Sequence, residues 1–185
     1  MNYENSVKIS GLLHHLSRKK DEKYFAFSIR HENLWTDGTT RKDFLSARAF
    51  NQEICEKLKP LDENTPIKVE GVLKSSKGSG ELYLAVEKVE ILPEIKELEN
   101  CVKLSGYVHL VKAQAEGETG TGKYVRFAVR QEISGQKDFI VVRVYDEKLR
   151  ETLAAKNADD SVEVEGTLRS SRGSGVNYVR CTKIA

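Results

Sequence analysis

Asn5-Ser-Val-Lys-Ile-Ser-Gly11 returns 95 positions later as Asn100-Cys-Val-Lys-Leu-Ser-Gly106, so the 185-residue chain contains an internal repeat. Three more blocks recur at the same offset. They are Lys42-Asp-Phe44 and Lys137-Asp-Phe139, Val69-Glu-Gly71 and Val164-Glu-Gly166, and Lys74-Ser-Ser-Lys-Gly-Ser-Gly80 and Arg169-Ser-Ser-Arg-Gly-Ser-Gly175. A period of this length is too long for a solenoid unit and fits an independently folding domain. The sequence therefore predicts a first domain over residues 1–93, a polar linker over 94–99 and a second domain over 100–185.

Both copies show the same order of predicted elements. Apolar and polar residues alternate along five segments, which is typical of half-buried strands. In the first copy these segments are residues 6–16, 23–32, 42–50, 66–74 and 82–92. Between the third and fourth segments a helix is expected, with Asn51 as its N-cap in the first copy and Asp146 in the second. This order is that of the OB-fold, and we predict an all-β protein of two tandem five-stranded OB-fold barrels, each with one helix between strands three and four.

The third strand carries an aromatic face in both copies. The residues that share this face are Phe44, Ser46, Arg48 and Phe50 in the first copy, and Phe139, Val141, Arg143 and Tyr145 in the second. The opposite face is small or aliphatic, as a barrel interior is. Because bases stack on aromatic rings and a guanidinium contacts phosphate, the aromatic face predicts binding of single-stranded nucleic acid. Packing of these rings under the helix or between the domains remains the alternative.

Strand two and two loops supply the other candidate binding residues. Those on the outward face of strand two are Tyr24 and Arg30, with Tyr124, Arg126 and Arg130 in the second copy. Trp35, in the next loop, is either a platform for a base or a local hydrophobic plug. The glycine-rich loops after strand four can follow a phosphate backbone, and their basic residues are Lys74, Lys77, Arg169 and Arg172.

Composition argues against several classes of protein. The net charge of +2 does not by itself indicate a nucleic-acid partner, so the positions of the charges have to carry that argument. No histidine has metal-ligand spacing, no nucleophile motif or dinucleotide fingerprint is present, and the three cysteines form no C-x-x-C pair. We expect no enzyme, no cofactor, no metal and no membrane span. The N-terminus shows no secretory signal, and a cytoplasmic, nucleoid-associated protein is expected.

Each copy resembles the OB domain of bacterial-type single-stranded DNA-binding proteins. In that family strand one follows Asn-x-Val-x-Leu-x-Gly-x-Leu, and strand four follows Val-x-Val-x-Gly-x-Leu. For strand one, the matching positions are Asn5, Val7, Ile9, Gly11 and Leu13 in the first copy, and Asn100, Val102, Leu104, Gly106 and Val108 in the second. For strand four, they are Ile67, Val69, Gly71 and Leu73 in the first copy, and Val162, Val164, Gly166 and Leu168 in the second. The two third-strand aromatics that stack on bases in the family correspond to Phe44 and Phe50, and to Phe139 and Tyr145; a loop tryptophan of the family resembles Trp35.

The resemblance implies sequence-tolerant binding of single-stranded DNA in replication, repair or recombination. Because the family commonly assembles four OB domains, two per chain imply a homodimer. The acidic C-terminal tail of the family has no counterpart after Ile184-Ala185, so we expect a variant without it. Three alternatives stay open: an RNA-binding OB protein, an OB-fold module for protein interaction or oligomerisation, and an enzyme, for which the sequence offers no site.

Overall fold

The computed structural model of this chain confirms the all-β prediction. It describes residues 2–16, 23–34, 37–109, 115–119 and 122–185. Within them the regular elements are strands and two short helices. The elements of the first copy are β1 (Asn5–His15), β2 (Phe25–Leu34), β3 (Thr40–Ala49), α1 (Gln52–Leu58), β4 (Pro66–Ser75) and β5 (Leu82–Ile91). Those of the second copy are β6 (Asn100–His109), β7 (Ala115–Thr119), β8 (Gly122–Ile133), β9 (Gln136–Val144), α2 (Glu147–Ala154), β10 (Ser161–Ser170) and β11 (Asn177–Ile184).

Five strands pair into a closed ring in each copy. In the first copy the order around the ring is β1-β2-β3-β5-β4 and back to β1, antiparallel except for the parallel pair β3 and β5. In the second copy the order is β6-β8-β9-β11-β10 and back to β6, again with one parallel pair, β9 and β11. The strands of the first copy begin and end within two residues of the predicted bounds. The repeat in the sequence is therefore a repeat of strand topology.

The inside of each ring is filled by the apolar side of the alternating strands. Phe27 and Ile29 on β2 are fully buried, as are Leu45 and Ala47 on β3. In the second copy Phe127 has the same complete burial. Because successive side chains of a strand point to opposite faces, burial of these residues directs their neighbours to the outside of the ring.

Two glycines allow the rings to bend where strand four meets strand five. At Gly71 an added Cβ would collide with the carbonyl oxygen of Ala85, and at Gly166 with that of Arg180. The strand register shifts at the same point, between Glu70 and Gly71 and between Glu165 and Gly166. A β-bulge sharpens the local bend of a strand, and glycine permits the close backbone contact that results.

The two helices follow strand three and begin at the predicted caps. The Asn51 side chain accepts hydrogen bonds from the backbone amides of Glu53 and Ile54, and Asp146 accepts one from Leu149. These bonds satisfy amides that the first turn leaves unpaired. Each helix then buries one leucine against the core, Leu58 in α1 and Leu153 in α2.

The two copies are joined by direct strand pairing. β1 pairs antiparallel with β6, from Asn5 opposite Leu104 to Ile9 opposite Asn100. The linker residue Glu99 is fixed to β1, because Ser10 donates its backbone N–H to the Glu99 carbonyl and accepts from the Glu99 amide through its hydroxyl. One sheet of eleven strands consequently runs through both copies.

One strand of the second copy has no counterpart among the described residues of the first. β7 forms a hairpin with the beginning of β8, from Ala115 opposite Arg126 to Thr119 opposite Gly122. It lies between strand one and Lys123-Tyr124, a stretch that is five residues longer than the one before Lys23-Tyr24 in the first copy. The segment Ala-Glu-Gly-Glu-Thr lacks alternating apolar residues, so the sequence did not predict this strand.

Candidate nucleic-acid interface

The third strand of each copy presents its aromatic face outward. In the first copy Leu45, Ala47 and Ala49 point into the core with no exposed surface, whereas Phe44 and Phe50 are 43% and 51% exposed. In the second copy the equivalent rings, Phe139 and Tyr145, are half-buried, while Ile140 and Val142 fill the interior. The face predicted for stacking is thus outside the ring in both copies.

In the first copy three rings surround one arginine. The Arg48 guanidinium lies over the ring of Tyr83 at 4.1 Å and over the ring of Tyr24 at 4.9 Å. The Phe50 ring is 5.2 Å from that of Tyr24 and 6.3 Å from that of Tyr83. We call these four residues the first aromatic cluster.

The second copy repeats this arrangement with a second arginine. Arg143 lies over the ring of Tyr178 at 4.0 Å and over that of Tyr124 at 4.7 Å, and the rings of Tyr124 and Tyr145 are 5.3 Å apart. Arg180 lies over the Tyr145 ring at 4.5 Å. These five residues form the second aromatic cluster. The position in the first copy that is equivalent to Arg180 is Ala85, which carries no charge.

Two of the tyrosines beside the arginines, Tyr83 and Tyr178, have a raised pKa and therefore stay neutral at physiological pH. Burial raises the pKa of Tyr83, although the positive charge of Arg48 opposes the change. Burial also raises the pKa of Tyr178, with a further contribution from Tyr145. A neutral phenol keeps its electron-rich face for the guanidinium, so each cluster combines a positive charge with rings on which a base can stack.

Phe44 and Phe139 extend the two aromatic faces past the clusters. The Phe44 ring meets the ring of His14 edge-on at 5.5 Å, and the Phe139 ring lies 4.8 Å from that of His109. Both histidines stand near the end of strand one of their copy. Across the strand pairs, Phe44 lies opposite Arg30 and Phe139 opposite Arg130.

Four of the nine predicted basic residues form ion pairs with carboxylates of the protein. The ion pairs are Arg30 Nε with Glu32 Oε1 at 3.1 Å, Arg130 Nη1 with Asp159 Oδ1 at 2.7 Å, Arg169 Nη1 with Asp43 Oδ2 at 3.0 Å, and Lys74 Nζ with Asp138 Oδ2 at 3.9 Å. The last two of these ion pairs join one copy to the other. Arg126, another of the predicted basic residues, is half-buried on β8 and lies opposite Arg143 of β9.

Lys77 and Arg172 are different, since each is exposed at the tip of a glycine-rich loop. Neither forms an ion pair with another residue in the described part of the chain. Their positive charges are therefore available to a phosphate backbone. Trp35 lies outside the described residues, and its place in the interface stays a prediction.

Three residues of the clusters were missed from the sequence. Tyr83 and Tyr178 are each the second residue of the fifth strand of their copy, on the face opposite to the core residues Leu84 and Val179, and both are largely buried. They are separated by the repeat offset of 95, and this equivalence is the signal that could have found them. Arg180 has no equivalent in the first copy, and nothing in the repeat draws attention to it.

Other kinds of site find little support in the part of the chain that the structure covers. No three of its histidine, cysteine, aspartate and glutamate side chains come together as a metal site would require. Neither α1 nor α2 has the length or the apolar character to cross a membrane.

Solved structures share this fold over the whole chain. The wild-type single-stranded DNA-binding protein from Thermus aquaticus superposes with a TM-score of 0.75 at 19% identity, covering 100% of this chain and 93% of that one. A deletion mutant of the same protein gives a TM-score of 0.75 at 18% identity, covering 99% and 94%. No protein-family profile matches the chain, and no curated protein matches its sequence. The expected resemblance is thus confirmed at the level of the fold.

Proposed function

We propose that this chain, which has the fold of the Thermus aquaticus single-stranded DNA-binding protein, binds single-stranded DNA without strong sequence preference and without catalysis. The observation that carries the proposal is the pair of equivalent aromatic clusters, each with an arginine between two tyrosines. We further propose that the two rings are tandem OB-fold domains, residues 1–93 and 100–185, joined by the linker 94–99. The protein would then belong with the bacterial-type single-stranded DNA-binding proteins.

The chemistry of the clusters favours a single strand over a duplex. A single strand exposes the faces of its bases, and stacking on an aromatic side chain contributes about 1–3 kcal/mol per base. Phe50 and Tyr145 offer such faces, while Arg48 and Arg143 supply positive charge beside them. Since every base has a π-face, stacking is tolerant of sequence, and the protein needs no base-specific hydrogen bonds.

The remaining parts of the proposal concern assembly and setting. We propose a homodimer that brings four OB domains together, as two domains per chain imply. Roles in DNA replication, repair and recombination, and a nucleoid-associated place in the cytoplasm, follow from the proposed binding activity.

Titration of fluorescently labelled oligo-dT tests the proposal. Replacing Phe44 and Phe139 together by alanine removes one stacking ring from each copy. We expect a loss of about 2–6 kcal/mol of binding free energy, at one stacked base per ring. In the unsubstituted protein, affinity should fall steeply with added salt, and bound DNA should quench Trp35, the chain's one tryptophan.

Leu98→Ala is the matched control, because Leu98 is 52% exposed and lies in the linker, outside both clusters. It should leave the affinity unchanged. Full affinity of the Phe44→Ala, Phe139→Ala protein would contradict the proposal and favour a role for these faces in protein interaction. Competition with oligo-rU in the same titration separates DNA from RNA, and stronger binding of oligo-rU would support the RNA alternative.

A further inference from the structure

The loop after strand four of each copy is anchored on strand three of the other copy. The β4–β5 loop (residues 76–81) follows Ser75, whose backbone N–H and hydroxyl both donate to Asp138 Oδ1, at 2.9 and 3.2 Å. The Ser75 hydroxyl in turn accepts the backbone N–H of Phe139 at 3.3 Å. β9 pairs with β8 along this stretch, with Phe139 opposite Arg130, and the Phe139 amide bonds to a serine of the opposite copy. The serine thus gives this backbone donor a partner.

The β10–β11 loop (residues 171–176) is held in the equivalent way. Ser170 donates its backbone N–H and hydroxyl to Asp43 Oδ1, at 3.0 and 3.2 Å, and its hydroxyl accepts the Phe44 amide at 3.2 Å. Asn177, at the far end of the loop, exchanges two hydrogen bonds with the backbone of Ser46. Both ends of this loop are therefore fixed against β3.

Two grooves show where the loop tips lie. One groove, of about 590 Å³, is lined by Lys77 and Gly78 from the β4–β5 loop and by Lys137 and Phe139 from the second copy. A smaller one, of about 90 Å³, is lined by Ser174 and Gly175 from the β10–β11 loop and by Arg48 and Tyr83 from the first aromatic cluster. Each loop thus forms a wall beside the aromatic face of the opposite copy.

We infer that each glycine-rich loop completes the DNA site of the other copy: Lys77 binds the backbone of a strand stacked on Phe139, and Arg172 that of a strand stacked on Phe44. This inference rests on the proposed function. Lys77 lines the same groove as Phe139, which places its charge beside the phosphates of a strand stacked on that ring. Arg172 occupies the equivalent position of the β10–β11 loop, 95 residues later.

Coupling between substitutions tests the assignment on the full chain. Two backgrounds each disable one face: Phe44→Ala with Phe50→Ala for the first copy, and Phe139→Ala with Tyr145→Ala for the second. Lys77→Ala is introduced into the unsubstituted protein and into both backgrounds. Oligo-dT affinity is measured between 50 and 200 mM salt, conditions over which phosphate contacts weaken strongly.

We expect Lys77→Ala to reduce the slope of log K against log salt concentration by about 0.7 in the unsubstituted protein. The reduction should persist when the first face is disabled and disappear when the second is disabled. Arg172→Ala should show the reverse pattern. Lys57→Ala, which removes the same charge from α1 outside both grooves, should leave the slope unchanged throughout.

The inference is overturned if the effect of Lys77→Ala disappears with the first face instead, or if it is absent from the unsubstituted protein. Failure of the proposed function has a separate signature, because oligo-dT affinity would then be insensitive to both backgrounds. Thermal unfolding checks that each background is folded, and leucine replaces alanine at Phe139 if alanine destabilises the half-buried position.

Discussion

At the scale of single residues, the two aromatic clusters differ by one charge. Arg48 and Arg143 occupy equivalent places between two tyrosines. Arg180 adds a second guanidinium over Tyr145 in the second copy, where the first copy has Ala85. The second face therefore has more positive charge next to a stacking ring, and we expect it to bind DNA more tightly than the first.

Arg180→Ala tests this difference. If the Arg180 charge contacts phosphate, the substitution should weaken oligo-dT binding and reduce the slope of log K against log salt concentration by about 0.7. The measurement is best made with Phe44 and Phe50 already replaced by alanine, so that the second face dominates. Lys183→Ala removes a charge from the same strand, where Lys183 pairs with Glu165, and should have little effect. Equal losses in the two variants would argue against a special role for Arg180.

At the scale of elements, strand three of each copy is held in place by a hairpin of the other. Asp43 on β3 has no exposed surface and contacts three groups of the second copy: the backbone N–H and hydroxyl of Ser170 and the guanidinium of Arg169. Asp138 on β9 makes the equivalent bonds to Ser75, but its cation, Lys74, is farther away at 3.9 Å. The two contacts are alike in geometry and unequal in strength.

Asp43→Ala should consequently destabilise the protein by about 3–5 kcal/mol, because it leaves the Arg169 charge with little solvent and without its partner. Urea unfolding measures the change. Asp138→Ala serves as the matched comparison, and we expect a smaller loss, since the Lys74 side chain is a third exposed and remains partly hydrated. A smaller loss for Asp43→Ala than for Asp138→Ala would contradict this ranking.

At the scale of the whole molecule, the pairing of β1 with β6 makes one sheet of the two copies. Strand one of each copy is thereby paired on both sides within the chain. In the first copy, β1 pairs with β2, with β4 and with β6. In the proposed homodimer a second chain would associate through other surfaces. Exposed apolar residues outside the two clusters, Ile91 and Ile133 among them, are available for such a contact.

The proposed homodimer is checked by light scattering coupled to gel filtration. We expect a mass of two chains of 20.9 kDa each at micromolar concentration, without DNA. A mass of one chain under the same conditions would contradict the homodimer. The single-chain form would still contain both aromatic clusters, so this result would leave the proposed DNA binding intact.

The sequence by itself determined which residues of the third strands point outward and where the two helices begin. Alternation along β3 put Leu45 and Phe44 on opposite faces, and the small or aliphatic character of the Leu45 face placed that face inside. A polar side chain just before each amphipathic segment located both helix caps. These are local properties, set by neighbours along the chain.

Only the tertiary structure decided what comes together across the chain. It paired β1 with β6, bound Arg169 and Lys74 to acids of the opposite copy, and added Tyr83 and Tyr178 to the clusters. The reason is physical. The alternation of apolar and polar residues along a strand shows which face of the strand is buried, whereas the residue that a side chain contacts depends on how elements distant in sequence pack together. Exposed cations and cations neutralised between the copies look the same in the sequence, and only their spatial neighbours distinguish them.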